Sequence, residues 1–296
     1  MVRRWTGYFL EQFATQAPAR VISDLLGLPW EDIPSFTKLV YNASRFISLS
    51  FTPGEIPDIE AAARQLRDYA ERTLDHRRRA PCGDFLSKFV AAADLAAEMS
   101  PIEIIFQIVQ LIVGDTDTTR VAIVMQVALL LQHHEQWMAV CRDLGLIPVA
   151  VEESMRFEPS VASISRVAAE DIEVGGAIIP AGKLVTLSTM SGMRDESAYD
   201  NPDVFNIRRI RHPRLHPIFG GGAHRCIGEM LARAELEESL AVLTALIPQL
   251  RLDQAPAIKG HFGVHRVDTM RVSWVPLHGL DQDRQQRSQP LAADPV

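Results

Sequence analysis

Apolar positions recur at helical spacing through most of the first two-thirds of the chain. The pattern predicts a helix over residues 3–26 that stops at "LGLP", where Gly27 supplies a left-handed cap and Pro29 blocks continuation. Further helices are expected over 30–48, 58–79 and 84–97. "SPIE" at 100–103 starts the longest one: Ser100 caps, Pro101 suits the first turn and Glu103 completes a capping box. That helix should run to about Gln132 and cross the interior, because it is apolar on most sides. Shorter helices follow at 134–144 and 147–157.

At Ser163 the texture changes. "ISRVAAEDIEVGGAIIPAGKLVTLST" alternates Val/Ile-rich segments with Gly and Pro turns, so it reads as short strands. An irregular stretch over 194–218 precedes a Gly-rich loop, a helix over 227–246 and closing strands over 262–276. The expected class is mainly α with small β-sheets, an α+β arrangement in a single domain over 1–280. A polar tail over 281–296 is expected to be disordered.

One segment interrupts the apolar pattern of the long helix. "QLIVGDTDTTRVAIVMQ", Gln110 to Gln126, places Asp, Thr and Arg between two runs of Ile, Leu, Val and Met. A buried polar group without a partner costs roughly 1–3 kcal/mol, so such a cluster needs a use.

Composition narrows the function classes. The 296 residues carry a net charge of −7, which argues against general nucleic-acid binding. The cysteines Cys82, Cys141 and Cys226 are scattered, odd in number and without CxxC spacing, so no disulfide framework or Cys-rich zinc module is implied. The apolar runs fall short of the ~18 residues of a membrane span. The expected setting is a reducing cytoplasm, with no membrane partner.

The sharpest chemistry sits in "FGGGAHRCIGEMLARAELE". Gly220, Gly221 and Gly222 allow tight turns and close approach, and Cys226 opens a helix whose dipole favours a thiolate. Such a cysteine is a nucleophile or a metal ligand. A zinc site from His212, His216, His224 and Cys226 lacks the usual paired spacing, and a Cys226–His224 pair is a further reading.

Phe219-x-x-Gly222-x-His224-x-Cys226-x-Gly228 resembles the haem-binding loop of cytochrome P450s. The resemblance implies the P450 fold, haem b (iron protoporphyrin IX) as cofactor and Cys226 as thiolate ligand of its iron. It also implies His224 near a haem propionate and Phe219 beside the sulfur. Glu153-x-x-Arg156, alone no more than a surface pair, then matches the family's buried structural ion pair. Its usual third partner is replaced by Val204, leaving Arg208 or Arg209 as substitutes. Arg166 matches a propionate-binding strand residue, and Val161 to Ile164 match a segment lining the substrate pocket.

The same resemblance gives the polar cluster a use. Gly114 and Asp117-Thr118-Thr119 match the oxygen-binding segment, where the family's helix is locally opened. Thr118 then positions the proton-carrying hydrogen bond, and Asp117 links the site to solvent protons. Asp115 stands where many relatives have a second Gly. The implied activity is insertion of one atom of O2 into a small organic substrate. Electrons would come from ferredoxin and an NAD(P)H-dependent ferredoxin reductase. The basic stretch 206–217 with Arg225 reads either as a docking patch for such an acidic donor or as a solvated irregular segment with one or two Arg used structurally. The resemblance reaches about residue 278 but begins in the middle of the family pattern, so the family's N-terminal strands and first helices are expected to be missing.

Overall fold

The computed structural model describes residues 5–210 and 216–275. The sequence tail over 281–296 lies outside them, as do His212 and the arginines at 211 and 214.

Strand β1 (Trp5–Tyr8) and a π-helical turn at Leu10–Ala14 precede α1 (Gln16–Leu26). Then come α2 (Ile33–Ile47), α3 (Ile56–Arg79), α4 (Phe85–Ala96), α5 (Pro101–Gln132), α6 (His134–Arg142) and α7 (Ile147–Phe157). Strands β2 (Ser163–Val167), β3 (Ile172–Val174), β4 (Ala177–Ile179) and β5 (Leu184–Ser188) form two antiparallel pairs, β2 with β5 and β3 with β4. The short α8 (Thr189–Gly192) leads into irregular chain, followed by α9 (Glu229–Leu246). The last strands are β6 (Arg251–Gln254), β7 (Ile258–Lys259), β8 (Arg266–Val267) and β9 (Arg271–Trp274).

The first predicted helix is corrected. Residues 5–8 are a strand paired antiparallel with β9, with Trp5 opposite Trp274 and their ring centroids 6.3 Å apart. The helix begins only at Gln16 and ends at Gly27, whose φ of 69° is left-handed. A partner strand at the other end of the chain decided this, which local periodicity does not register. Strands β6 and β7 were also not anticipated; β6 pairs with β9 in the same sheet.

Helix α5 organises the interior. Its start carries the predicted capping box between Ser100 and Glu103. Its first half, including Ile104, Ile108 and Ile112, packs into one apolar core with α1 to α4. Its second half, from Val121 to Leu131, packs into another core with α6, α7 and α9. The polar cluster lies between these halves. The helix therefore buries its apolar segments on both sides and places Gly114 to Arg120 at the junction of two cores.

A candidate cysteine-ligand cavity

The loop before α9 is built by backbone constraints. The Cys226 N–H donates to the Phe219 carbonyl at 2.8 Å, closing the loop on itself. Gly220 sits at φ 70°, ψ −164°, a region open essentially to glycine alone. Arg225 donates its Nη1 to the Gly220 carbonyl at 2.9 Å and pairs with Glu229 at 2.5 Å. At Gly228 an added Cβ would lie 3.9 Å from the Cys226 sulfur, so the flank of the sulfur is left open.

Cys226, Phe219 and Gly228 line one wall of a cavity of about 470 Å³. Gly114, Asp115, Thr118 and Thr119 of α5 line it opposite, and Ile22, Leu111, Val161, Leu231 and Leu236 make much of the rest apolar. Beside it Ile227 is 91% exposed and Met230 75% exposed, an arrangement that leaves apolar side chains without a partner.

Arg166 on β2 approaches this loop. Its Nη2 lies 3.8 Å from the position of a Gly220 Cβ, and its Nη1 donates to the Ser165 carbonyl at 2.9 Å. Among the described residues no ion pair involves Arg166. His224 is exposed in the short 3-10 turn Gly222–His224. A sulfur ligand, an apolar slot and a cation at its edge fit a broad, flat apolar group with anionic substituents.

The Cys226 thiol is not pre-ionised, contrary to the dipole argument. Burial pushes its pKa up first; Glu229 and Asp115 add to this, while the Gly228 N–H and Arg225 oppose it. The helix proper begins only at Glu229, so Cys226 lies outside the turn where the dipole acts. A thiol raised in this way is a poor free nucleophile. Among the described residues no group of three or more His, Cys, Asp or Glu could hold a metal ion, and His212 of the zinc reading lies outside them.

Glu153 and Arg156 are both fully buried on α7. Arg156 donates Nε and Nη2 to the two Glu153 oxygens at 2.8 and 2.9 Å, and Nη1 to the Met193 and Pro202 carbonyls, both at 2.8 Å. Arg209 supplies the third partner, donating Nε to Glu153 Oε2 at 2.9 Å, and the Asn206 N–H donates to Oε1 at 2.8 Å. Burial alone would raise the Glu153 pKa; these donors outweigh it and hold the carboxyl below its usual range. The cluster pins the irregular chain over 193–209 that leads to the cysteine loop.

Helix α5 differs from the expectation in two ways. It is continuous from Pro101 to Gln132, with no local opening. The Thr118 hydroxyl donates to the Gly114 carbonyl at 2.5 Å and Thr116 to Ile112 at 2.6 Å, as second bonds that leave the backbone ladder closed. In addition, Asp117 is not part of the cavity lining. It is buried in an ion pair with Arg120 at 2.6 Å, and the Arg120 guanidinium lies 4.0 Å from the Tyr41 ring centroid on α2. At about 100° per residue, positions 115 and 118 face the cavity while 117 turns from it. The acidic side chain at the cavity wall is Asp115, and it meets Glu235 of α9, a residue the motif reading did not single out.

A family model described as Cytochrome P450 matches residues 137–254. The plant-inducible cytochrome P450-pinF1 of Rhizobium radiobacter is 43% identical over 265 residues, covering 89% of this chain and 63% of that protein. Nocardicin C N-oxygenase of Nocardia uniformis subsp. tsuyamanensis is 38% identical over 245 residues, covering 82% and 60%. Against the curated relatives it matches, then, the chain spans less than two thirds of their length. The solved structure of the cytochrome P450 enzyme CxnD superposes with a TM-score of 0.82 at 31% identity, over 92% of this chain and 67% of that one. Sequence likeness, shared fold and a cysteine loop facing a threonine-bearing helix agree, and the chain belongs to the cytochrome P450 family.

Proposed function

We propose that this chain is the haem-binding core of a monooxygenase acting on a small, apolar organic substrate. The balance is substrate RH, O2, two electrons and two protons giving ROH and water. One observation carries the reading: the Cys226 sulfur and the Gly114–Thr118 segment face each other across one largely apolar cavity.

Haem b fits the donor set described above, and when bound it supplies the iron chemistry of O–O cleavage, favoured by a thiolate ligand. The chain's own residues hold and orient it. Cys226 is the ligand, Phe219 and Gly228 flank the sulfur, and Gly222 shapes the turn before it. Arg166 and His224 take the propionates in this proposal, where a guanidinium forms charge-assisted hydrogen bonds. Thr118 presents a hydroxyl at the opposite wall, and the apolar lining excludes water and orients substrate. Glu153, Arg156 and Arg209 keep the cysteine loop in register.

Electrons are proposed to come from a ferredoxin, reduced by a ferredoxin reductase at the expense of NAD(P)H. The setting is proposed to be cytoplasmic; among the described residues no helix is long and apolar enough to cross a membrane. Arg209 and Arg225 are engaged in internal ion pairs, so Arg208 is the described arginine of the basic stretch left for docking.

The test is a carbon monoxide difference spectrum of the reduced, haem-loaded protein. A strongly red-shifted Soret band supports the reading. A band at shorter wavelength means that the thiolate does not bind the iron. Haem uptake without oxidation of any apolar substrate would leave a haem protein without turnover.

A further inference from the structure

Two neighbouring acids of α7 hold the two flanks of the cysteine loop. Glu153 takes the chain that leads to it, through Arg209 and the Asn206 N–H. Glu152 takes the helix that leaves it, through Arg233 of α9. Successive residues of a helix point about 100° apart, so a single turn of α7 reaches both sides.

Arg233 is the centre of the second contact. Its Nη1 donates to Glu152 Oε1, and its Nε and Nη2 donate to Glu229 Oε1 at 3.2 and 3.1 Å. Glu229 lies one turn earlier on α9 and pairs through Oε2 with Arg225 at 2.5 Å. Arg225 donates to the Gly220 carbonyl. Four charges of alternating sign therefore run from α7 to the loop. They end on the residue after Phe219, whose own carbonyl takes the Cys226 N–H.

The Phe219 ring is held from two directions. The Arg233 Cζ lies 5.0 Å from its centroid, within cation–π range, and the His216 ring stands at 66° to it with centroids 6.0 Å apart. Phe219 and Cys226 line the same cavity wall. Isolated exposed ion pairs contribute little to stability, whereas networks contribute more. Here the Arg233 and Glu229 side chains are 17% and 16% exposed, and all four charges are connected. Arg233 is the member that touches α7, the first turn of α9 and the Phe219 ring.

We propose that Arg233 is a positioning residue for Cys226: it fixes the Phe219 ring and the cysteine loop against α7 and balances the two carboxylates beside them. The geometric part concerns this chain alone, and its consequence for the iron rests on the haem-thiolate reading. Arg233 acts through the loop that carries the sulfur and not on substrate. Without its charge, Glu152 and Glu229 keep Arg225 as the one cation of the series. The added negative charge disfavours one more electron on a bound ferric iron, so the ferrous form is harder to reach.

The first measurement needs no haem. Amide hydrogen exchange of the apo protein is followed by mass spectrometry in peptides covering 219–228 and α5. Arg233→Met should speed exchange in 219–228 ten-fold or more and leave α5 within two-fold. Glu152→Gln breaks the α7 anchor while keeping Arg233, and should raise exchange in the same peptide by a smaller factor. The haem-loaded proteins are then titrated with dithionite against a reference dye. Arg233→Met should shift the ferric-to-ferrous ratio at fixed potential ten-fold toward ferric, about 59 mV for a one-electron couple. Arg233→Lys keeps the charge without the planar fork, and should hold that ratio within three-fold of wild type. Loop exchange within two-fold of wild type in Arg233→Met overturns the proposal. So does a rise spread equally over α5, which is a loss of stability only, or an unshifted ratio in a variant that keeps its red-shifted carbon monoxide band. Faster loop exchange in Arg233→Met, with no thiolate-type band in the wild type, would support the positioning and sink the haem-thiolate reading instead.

Discussion

Glu153 on α7 and Arg209 in the irregular chain 56 residues later meet at 2.9 Å inside the protein. Arg156 already holds both oxygens of the same carboxylate, so one buried anion joins α7 to the chain that precedes the cysteine loop. Removing one member of a buried ion pair typically costs ~3–5 kcal/mol, because a charge is left uncompensated. Glu153→Gln should therefore lower the unfolding free energy by that order, read as a lower urea midpoint, and loosen haem in parallel. Arg209→Ala should cost less, since Arg156 remains.

Acid should act through the same residue. The folded-state pKa of Glu153 lies below its ordinary 4.5, so the stabilisation it contributes is present above that value and is lost as pH falls through the depressed folded value. Urea midpoints of wild type should drop below pH 4.5, and in Glu153→Gln that part of the drop should vanish.

Alkali should act through Asp115 and Glu235, with the opposite sign. Burial raises their folded pKa values, to about 6 and about 9, so folding favours their protonated forms. That contribution is complete below the ordinary carboxylate range and is lost as pH rises through these values. Stability should fall between pH 6 and 9, and Glu235→Gln should flatten the fall. An unchanged slope in the variant would rule out the pair as its source.

Gly220 adopts φ 70°, ψ −164°. Gly220→Ala should cost about 1–3 kcal/mol from backbone strain alone. Thermal unfolding of the apo and haem-loaded forms measures it, and the loss should be visible in both.

Cys226→Ser removes the proposed ligand from an exposed loop position. Its unfolding free energy should change by less than about 1 kcal/mol, as for surface substitutions generally. The red-shifted carbon monoxide band should disappear completely. A retained band would exclude Cys226 as the ligand.

Arg166→Ala should leave the fold intact, because Arg166 makes no ion pair among the described residues and hydrogen-bonds only to the Ser165 carbonyl. Transfer of haem to an acceptor globin should be several-fold faster than from wild type. An unchanged rate would mean that Arg166 does not hold the propionates.

Much of this protein was determined by the sequence itself. The capping box of Ser100 and Glu103, the Gly27 stop and the span of α5 are local, since caps and turns use neighbouring residues. The cysteine loop was legible for the same reason: residues and glycines at fixed short spacing create its geometry. What tertiary structure decided involves partners distant in the chain. Trp5–Tyr8 became a strand because β9 lies beside it. Arg209, rather than Arg208, reached Glu153 because the irregular chain folds back over α7. Asp115 was visible as a departure from a pattern, but its meaning depended on Glu235 standing opposite on α9. Asp117 looked like the acid of the site, and helical phase with Arg120 as partner turned it from the cavity. Spacing along a chain sets which side chains share a face; only packing sets what that face meets.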